Sequence, residues 1–296
     1  PSAYYDGGPT QLSRLHRLHL IGGEQLRGPL AEPYRGRLQS LIDRWREAGP
    51  RSPFGPLLAA EPAWPEGPLA LLLANQPAEV CLRGLLLRPP LPWPTRSALA
   101  QKLALALAQA ISLRPGLVHG ELTPAQVMVL AESDQELRLW LRLPTRLAGL
   151  LGEEARLPAA LPLADGQSAG PPARPELTEE ESRYCAPECL RGAPQSQSSD
   201  VFSIAAIIFE LLGGDLLQAS QAIHLGCRLP LLPPSAQISA AIREGLGAAL
   251  GPDPSRRPIV GELARCLGAA PQQPAVPAPR RTLELELPPP GSASCT

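Results

Sequence analysis

The sequence predicts an α+β fold, and three stretches support this prediction. Leu15–Ile21 alternates apolar and polar residues as a β-strand does. Residues 34–48 and 97–112 repeat apolar residues at helical spacing instead. The length of 296 residues suffices for one large lobe or two small ones, each with its own core.

The first of the two helices has one apolar face. Leu38, Leu41, Ile42 and Trp45 recur at i, i+3, i+4 and i+7 within residues 34–48. This spacing predicts an amphipathic helix that packs on the rest of the protein through this face.

Further elements follow in the second quarter of the chain. Residues 80–87 give a helical signal that ends at the stretch RPPLPWP. Residues 97–112 give a stronger one, rich in Ala and Leu, and predict a buried helix. Its apolar side consists of Leu99, Leu103, Leu107 and Ile111. Residues 135–144 alternate as a strand does.

Composition narrows the class of protein. The net charge of -1 gives no indication of nucleic-acid or anionic-membrane binding. No apolar run reaches the roughly 18 residues that span a bilayer, and no secretory segment opens the chain. Its six cysteines form no Cys-x-x-Cys pair and no Cys/His cluster. We therefore expect a cytoplasmic protein with reduced thiols and no metal site.

Proline is unusually frequent, and its 38 residues predict long proline-rich loops. Pro89, Pro90, Leu91 and Pro92 form either a stiff connector or a docking ligand for a WW or SH3 domain, and we favour the connector. Residues 152–178 and the tail beyond residue 269 are also rich in Pro, and we expect both to be disordered.

One stretch carries a recognisable chemistry. Residues 117–129 read LVHGELTPAQVMV, which resembles the catalytic loop His-Arg-Asp-Leu-x-Pro-x-Asn of the eukaryotic protein kinases. His119 and the loop proline are kept. Gly120, Glu121 and Gln126 replace the family's Arg, Asp and Asn.

Four later stretches resemble the same family and follow in its order. They are YCAPECL (residues 184–190), SDVFSIAAIIFELL (from residue 199), LGCRLPLLPP (225–234) and DPSRRPIVGEL (253–263). The G-x-R-L-P element inclines the resemblance toward the tyrosine-kinase and tyrosine-kinase-like groups. Through these motifs the chain resembles the C-terminal lobe of a protein kinase.

The resemblance implies a bilobal fold. Residues 1–74 would form a reduced N-lobe with a small antiparallel sheet and one helix, and residues 75–269 a mainly helical C-lobe. Within the C-lobe, residues of about 149–183 would be a disordered, proline-rich activation segment, followed by a disordered tail over 270–296.

The resemblance also implies structural contacts. Glu188, in the Ala186-Pro187-Glu188 motif, would form a buried ion pair with Arg257. Asp200 would accept hydrogen bonds from the backbone amides of residues 119–121. We expect His119 to be packed in the core rather than to act as a base.

The groups that handle Mg-ATP in this family are largely missing. The chain has a single lysine, Lys102, which lies in the C-lobe helix and not in the third strand, where Leu15–Ile21 would lie. Residues 22–28 lack the G-x-G-x-x-G spacing. Leu143 and Pro144 stand near the expected place of the metal-binding Asp, and Gln126 is one methylene longer than Asn.

These losses predict a pseudokinase without cofactor or metal, acting as a scaffold or allosteric regulator of signalling proteins, active kinases among them. In this interpretation Glu121 is a loop acid. Two alternatives remain. An atypical active kinase would use Glu121 as base, Glu136 for metal, and Arg14, Arg17 or Arg27 for phosphate. A proline-rich adaptor would bind SH3 or WW domains.

Overall fold

The computed structural model describes residues 2–6, 15–21, 32–49, 52–62, 69–74, 80–131, 137–143, 177–224, 232 and 238–268. Within these residues the architecture is mixed α+β, as predicted, and it contains two small antiparallel sheets and several helices. No helix of the described part is long and apolar enough to cross a membrane.

The first sheet contains four antiparallel strands in the order β1-β2-β4-β3. They are β1 (Ser2–Asp6), β2 (Leu15–Ile21), β3 (Leu57–Pro62) and β4 (Leu69–Ala74). The prediction of a strand at Leu15–Ile21 is confirmed, and it lies inside the sheet between β1 and β4. β1 was not predicted, because five residues are too few for a clear alternation.

Helix α1 (Glu32–Ala48) packs beside this sheet. All four residues predicted for its inner face are buried, and Trp45 is fully so. The Trp45 indole Nε1 donates a hydrogen bond to the Gly55 carbonyl at 2.8 Å, and its ring lies 5.4 Å from that of Phe54. The helix ends before Gly49, whose φ of 53° suits a residue without a side chain.

The second sheet has the order β5-β6-β7, formed by β5 (Val80–Cys81), β6 (Val127–Ala131) and β7 (Leu137–Leu141). The helix predicted over residues 80–87 is therefore wrong at its start, and α2 spans only Leu82–Leu86. Pairing of Val80 with Val129 overrides the local helical signal.

Helix α3 (Trp93–Leu113) is the central helix of the later part of the chain. It begins four residues before the predicted start at residue 97, because Pro94 in its first turn needs no N–H partner. Leu99, Leu103 and Leu107 are fully buried, as the pattern predicted.

Six further helices follow in the described part of the chain. They are α4 (Glu179–Ser182), α5 (Pro187–Leu190), α6 (Gln197–Leu211), α7 (Leu216–His224), α8 (Ala240–Ala249) and α9 (Val260–Gly268). Of these, α6 and α9 pack on α3. The α6 helix begins with a capping box of Ser196 and Ser199. Every residue from 199 to 209 is buried, so α6 forms the centre of the core.

The end of the segment expected to be disordered requires a correction. Residues 179–182 are helical, because Thr178 and Glu181 form a reciprocal capping box at the start of α4. Residues 149–176, the tail over 270–296 and most of the LGCRLPLLPP element lie outside the described residues.

Candidate functional site

The candidate site is the 119–126 loop between α3 and β6. A short 3₁₀ turn, Pro124–Gln126, delivers the chain into β6. Leu117 and Leu122 are buried on either side of the loop's start, so hydrophobic packing holds its backbone against the core.

Asp200 fixes the start of this loop from the first turn of α6. Its Oδ2 accepts a hydrogen bond from the His119 amide at 2.6 Å, and its Oδ1 accepts one from the Gly120 amide at 2.7 Å. The carboxylate is 1% exposed, so both bonds are charge-assisted bonds in a dry environment. One side chain therefore satisfies two buried backbone donors of the loop.

His119 lies in the core beneath the loop. Its Nε2 lies 2.7 Å from the Arg142 carbonyl, which can only accept, so Nε2 carries the proton. Nδ1 has no hydrogen-bond partner among the described residues. Burial lowers the pKa of the imidazole to about 4, so the ring is neutral at pH 7. Its geometry suits a structural role.

Gly120 occupies the position of the family's arginine with a backbone that only glycine adopts readily. Its φ is 71°, and a Cβ there would lie 2.8 Å from the Gln195 Cδ atom. The Gln195 amide Nε2 also donates to the Gly120 carbonyl. Sequence reasoning missed Gln195, because a single Gln 75 residues away gives no signal.

We expect Gly120→Ala to destabilise the protein by about 2–3 kcal/mol, since backbone strain adds to the loss of the Gln195 hydrogen bond when the amide moves away from the new methyl group. Chemical denaturation measures this loss. Gly49→Ala is the matched control: its φ is 53° and no atom lies within 4 Å of the added Cβ, so it isolates strain of about 1–2 kcal/mol. Gln195→Ala removes the same hydrogen bond, so the double variant Gly120→Ala/Gln195→Ala should cost no more than Gly120→Ala, and additive losses would contradict the displacement of Gln195.

Arg142 directly follows strand β7 and precedes Leu143 and Pro144, near which the resemblance places the metal-binding Asp. Strand β7 ends at Leu141, and the next residue is Arg142, whose amide donates to the Gln126 carbonyl at 2.7 Å. Its carbonyl accepts the hydrogen bond from His119 Nε2, so two hydrogen bonds of the Arg142 backbone join this residue to the 119–126 loop. Its side chain is half-buried, and its Nε has no hydrogen-bond partner within the described residues.

This placement refines the prediction for Leu143 and Pro144. Leu143 is buried in the core at 2% exposure, and Pro144 lies outside the described residues. The residue directly after the strand is therefore a cation. The sequence shows this residue as an arginine at the end of the alternating run of residues 135–144.

The residues present do not fit Mg²⁺. Glu121 and Gln126 are half-buried, and within the described part of the chain no three His, Cys, Asp or Glu side chains cluster. Arg142, whose backbone is hydrogen-bonded to Gln126, brings a cation and no metal ligand to this end of the loop. Lys102 is exposed on α3.

The residues that an atypical active kinase would use for phosphate and metal have no described side chains. Arg14, Arg27 and Glu136 lie outside the described residues, and only the backbone of Arg17 is described, in β2. Two acids of α1, Asp43 and Glu47, lie on its exposed side, where the Asp43 carboxylate accepts from the Gln39 amide at 2.9 Å.

Glu188 and Arg257 form a bidentate ion pair. Arg257 Nη1 and Nη2 donate to Glu188 Oε1 and Oε2 at 2.6 and 2.7 Å. The guanidinium side chain is 0% exposed, and the carboxylate side chain is 14% exposed. Arg257 also donates to the Gly251 and Ser198 carbonyls at 2.9 and 3.1 Å. Its guanidinium carbon lies 5.1 Å above the Phe202 ring.

The Ala186-Pro187-Glu188 motif is thereby held at the start of α5. Ala186 is the N-cap residue and Pro187 lies in the first turn, and both are buried.

Two contacts that the sequence did not predict hold the residues before this motif. The Tyr184 hydroxyl donates to Glu210 at 2.6 Å, and Arg83 pairs with Glu180 at 2.5 Å. Burial first, and then the Glu210 contact, raise the pKa of the Tyr184 phenol.

Comparison with known proteins supports a kinase-like relationship. No family model matches the chain. The chain is 30% identical, over 203 residues, to the serine/threonine-protein kinase drp72 of Corynebacterium efficiens. The alignment covers 62% of this chain and 35% of that protein, so the chain spans about a third of its relative. The mixed α+β architecture with small antiparallel sheets is compatible with a kinase-like fold.

Proposed function

We propose that this chain is a bilobal pseudokinase domain that acts in the cytoplasm as a scaffold or allosteric regulator of signalling proteins. Arg142 carries the proposal. Its backbone is hydrogen-bonded to Gln126 and His119 of the 119–126 loop. The resemblance implies a carboxylate that holds Mg²⁺ at the end of this strand, because phosphoryl transfer requires one.

The electrostatic reason is a reversal of charge. The metal in a kinase neutralises the β- and γ-phosphates and is itself held by an acid. A permanently charged guanidinium raises the free energy of a divalent cation at the same position, and Arg does not lose its proton in proteins. The His119 ring is neutral at pH 7 and does not offset the positive charge of the guanidinium. Glu121 is the single acid of the 119–126 loop.

The retained contacts favour a binding role. Asp200 and the Glu188–Arg257 pair connect parts of the chain about 70 to 80 residues apart. These contacts stabilise the body of the domain and require no nucleotide. A chain that keeps these structural contacts and lacks the metal ligand is suited to bind partner proteins through its surface.

A thermal-shift titration with ATP and Mg²⁺ tests the proposal. We expect no saturable, Mg²⁺-dependent rise in melting temperature for the natural chain, because a ligand stabilises only the state that it binds. The variant Arg142→Asp/Gln126→Asn supplies an acid and the shorter amide, and here we expect a Mg²⁺-dependent rise.

The control is Arg256→Asp, which reverses the charge of an exposed arginine beyond the site and should leave the titration flat. A rise in the natural chain that is abolished by Gln126→Ala, together with phosphate transfer abolished by Glu121→Gln, would support the atypical kinase instead.

A further inference from the structure

The connector between α2 and α3 consists of residues 88–92, with the sequence RPPLP, and is called the proline connector below. It runs between the end of α2 at Leu86 and the start of α3 at Trp93. Pro92 has φ -53° and ψ 146°, close to polyproline II. Three of the five residues are proline, which also favours this extended form.

The connector presents two of its edges to solvent and the third to the protein. Polyproline II has three residues per turn, so Pro89 and Pro92 share one edge and Pro90 lies on the next. These three residues are exposed. Leu91, on the remaining edge, is half-buried and packs against the hydrophobic core.

Both ends of the connector are anchored. The Arg88 amide donates to the Leu85 carbonyl at 3.2 Å, and the Pro92 carbonyl accepts from the Arg96 amide at 3.1 Å. Trp93 packs against the core, with the Arg96 guanidinium 5.6 Å from its ring centroid. The connector is therefore restrained at both ends before any partner binds, which lowers the ordering cost of binding.

We propose that the proline connector is a preformed ligand for a WW domain. A groove lined by aromatic rings reads polyproline II through the proline rings of neighbouring edges, and those edges are the exposed ones here. The helices leave only the six residues 87–92 between them, which suits the small groove of a WW domain. Exposed Arg88 and Leu87, which is 79% exposed, add a cation and an apolar contact beside the prolines.

This assignment names a partner for the proposed scaffold role, and its test is independent of nucleotide. A recombinant WW domain that binds free PPLP peptides is titrated with the full chain by isothermal titration calorimetry. We expect saturable binding, weakened about tenfold or more in Pro89→Ala/Pro92→Ala, because two ring contacts are lost. Excess PPLP peptide should displace the chain, a measurement that needs no variant.

Pro94→Ala is the matched control. Pro94 is exposed in the same stretch but lies in the first turn of α3, and its loss should change the affinity less than about twofold. No saturable binding, an equal loss in Pro94→Ala, or binding of an SH3 domain but no WW domain would each overturn the assignment. A flat Mg-ATP titration beside absent WW binding would leave the proposed function intact and remove this inference alone.

Discussion

Arg257→Ala should destabilise the protein by about 3–5 kcal/mol, because it leaves the Glu188 carboxylate buried without its cation. The carboxylate side chain is 14% exposed, too little for water to replace two hydrogen bonds. The change also removes donors from the Gly251 and Ser198 carbonyls and the cation above Phe202. Urea unfolding followed by circular dichroism measures the loss.

Arg256→Ala is the neighbouring control. Its side chain is 87% exposed and lies 3.4 Å from Asp253, so we expect a change within about 1 kcal/mol. Glu188→Ala should cost as much as Arg257→Ala. The double variant should cost less than the sum of the two, because each single change strands the other charge. Additive losses, or unchanged unfolding of Arg257→Ala, would show that the pair does not hold α5 to the core.

Asp200→Ala should destabilise the protein by about 3–5 kcal/mol as well, since hydrogen bonds to a charged group contribute about 1.5–3 kcal/mol each. It leaves the His119 and Gly120 amides buried and without their acceptor. Chemical denaturation gives the magnitude, and hydrogen exchange of the 119–126 loop locates the effect. We expect protection to be lost first at these two amides.

Asp215→Ala separates this role from ordinary helix capping. The Asp215 carboxylate also accepts a backbone amide, that of Gln218 at 3.0 Å, but at an exposed position before α7. Its loss should cost about 1 kcal/mol and leave the exchange of the loop unchanged. Equal losses for the two aspartates would mean that Asp200 acts as a helix residue and does not position the loop.

Several local boundaries differ from prediction for identifiable reasons. The predicted start of α3 came too late because Pro94 was taken to belong to the connector, whereas a helix accepts proline in its first turn. Residues 80 and 81 join a strand because β6 provides a partner. The loop end at residues 177–183 is ordered because Thr178 and Glu181 cap a short helix.

The amino-acid sequence alone predicted the α+β class, the inner face of α1, the buried side of α3 and the strand β2. Periodicity reports which side of an element avoids water, and this needs no knowledge of neighbours. The motifs around His119, Glu188, Asp200 and Arg257 also pointed to contacts, but through resemblance rather than through periodicity.

Only the tertiary structure placed Gln195 against Gly120, Arg142 beside Gln126, and Tyr184 on Glu210. The partners in these pairs are 75, 16 and 26 residues apart, and none of them belongs to a repeating pattern. Which side chain fills a given space depends on how the whole core packs, and this is decided by close packing among distant segments.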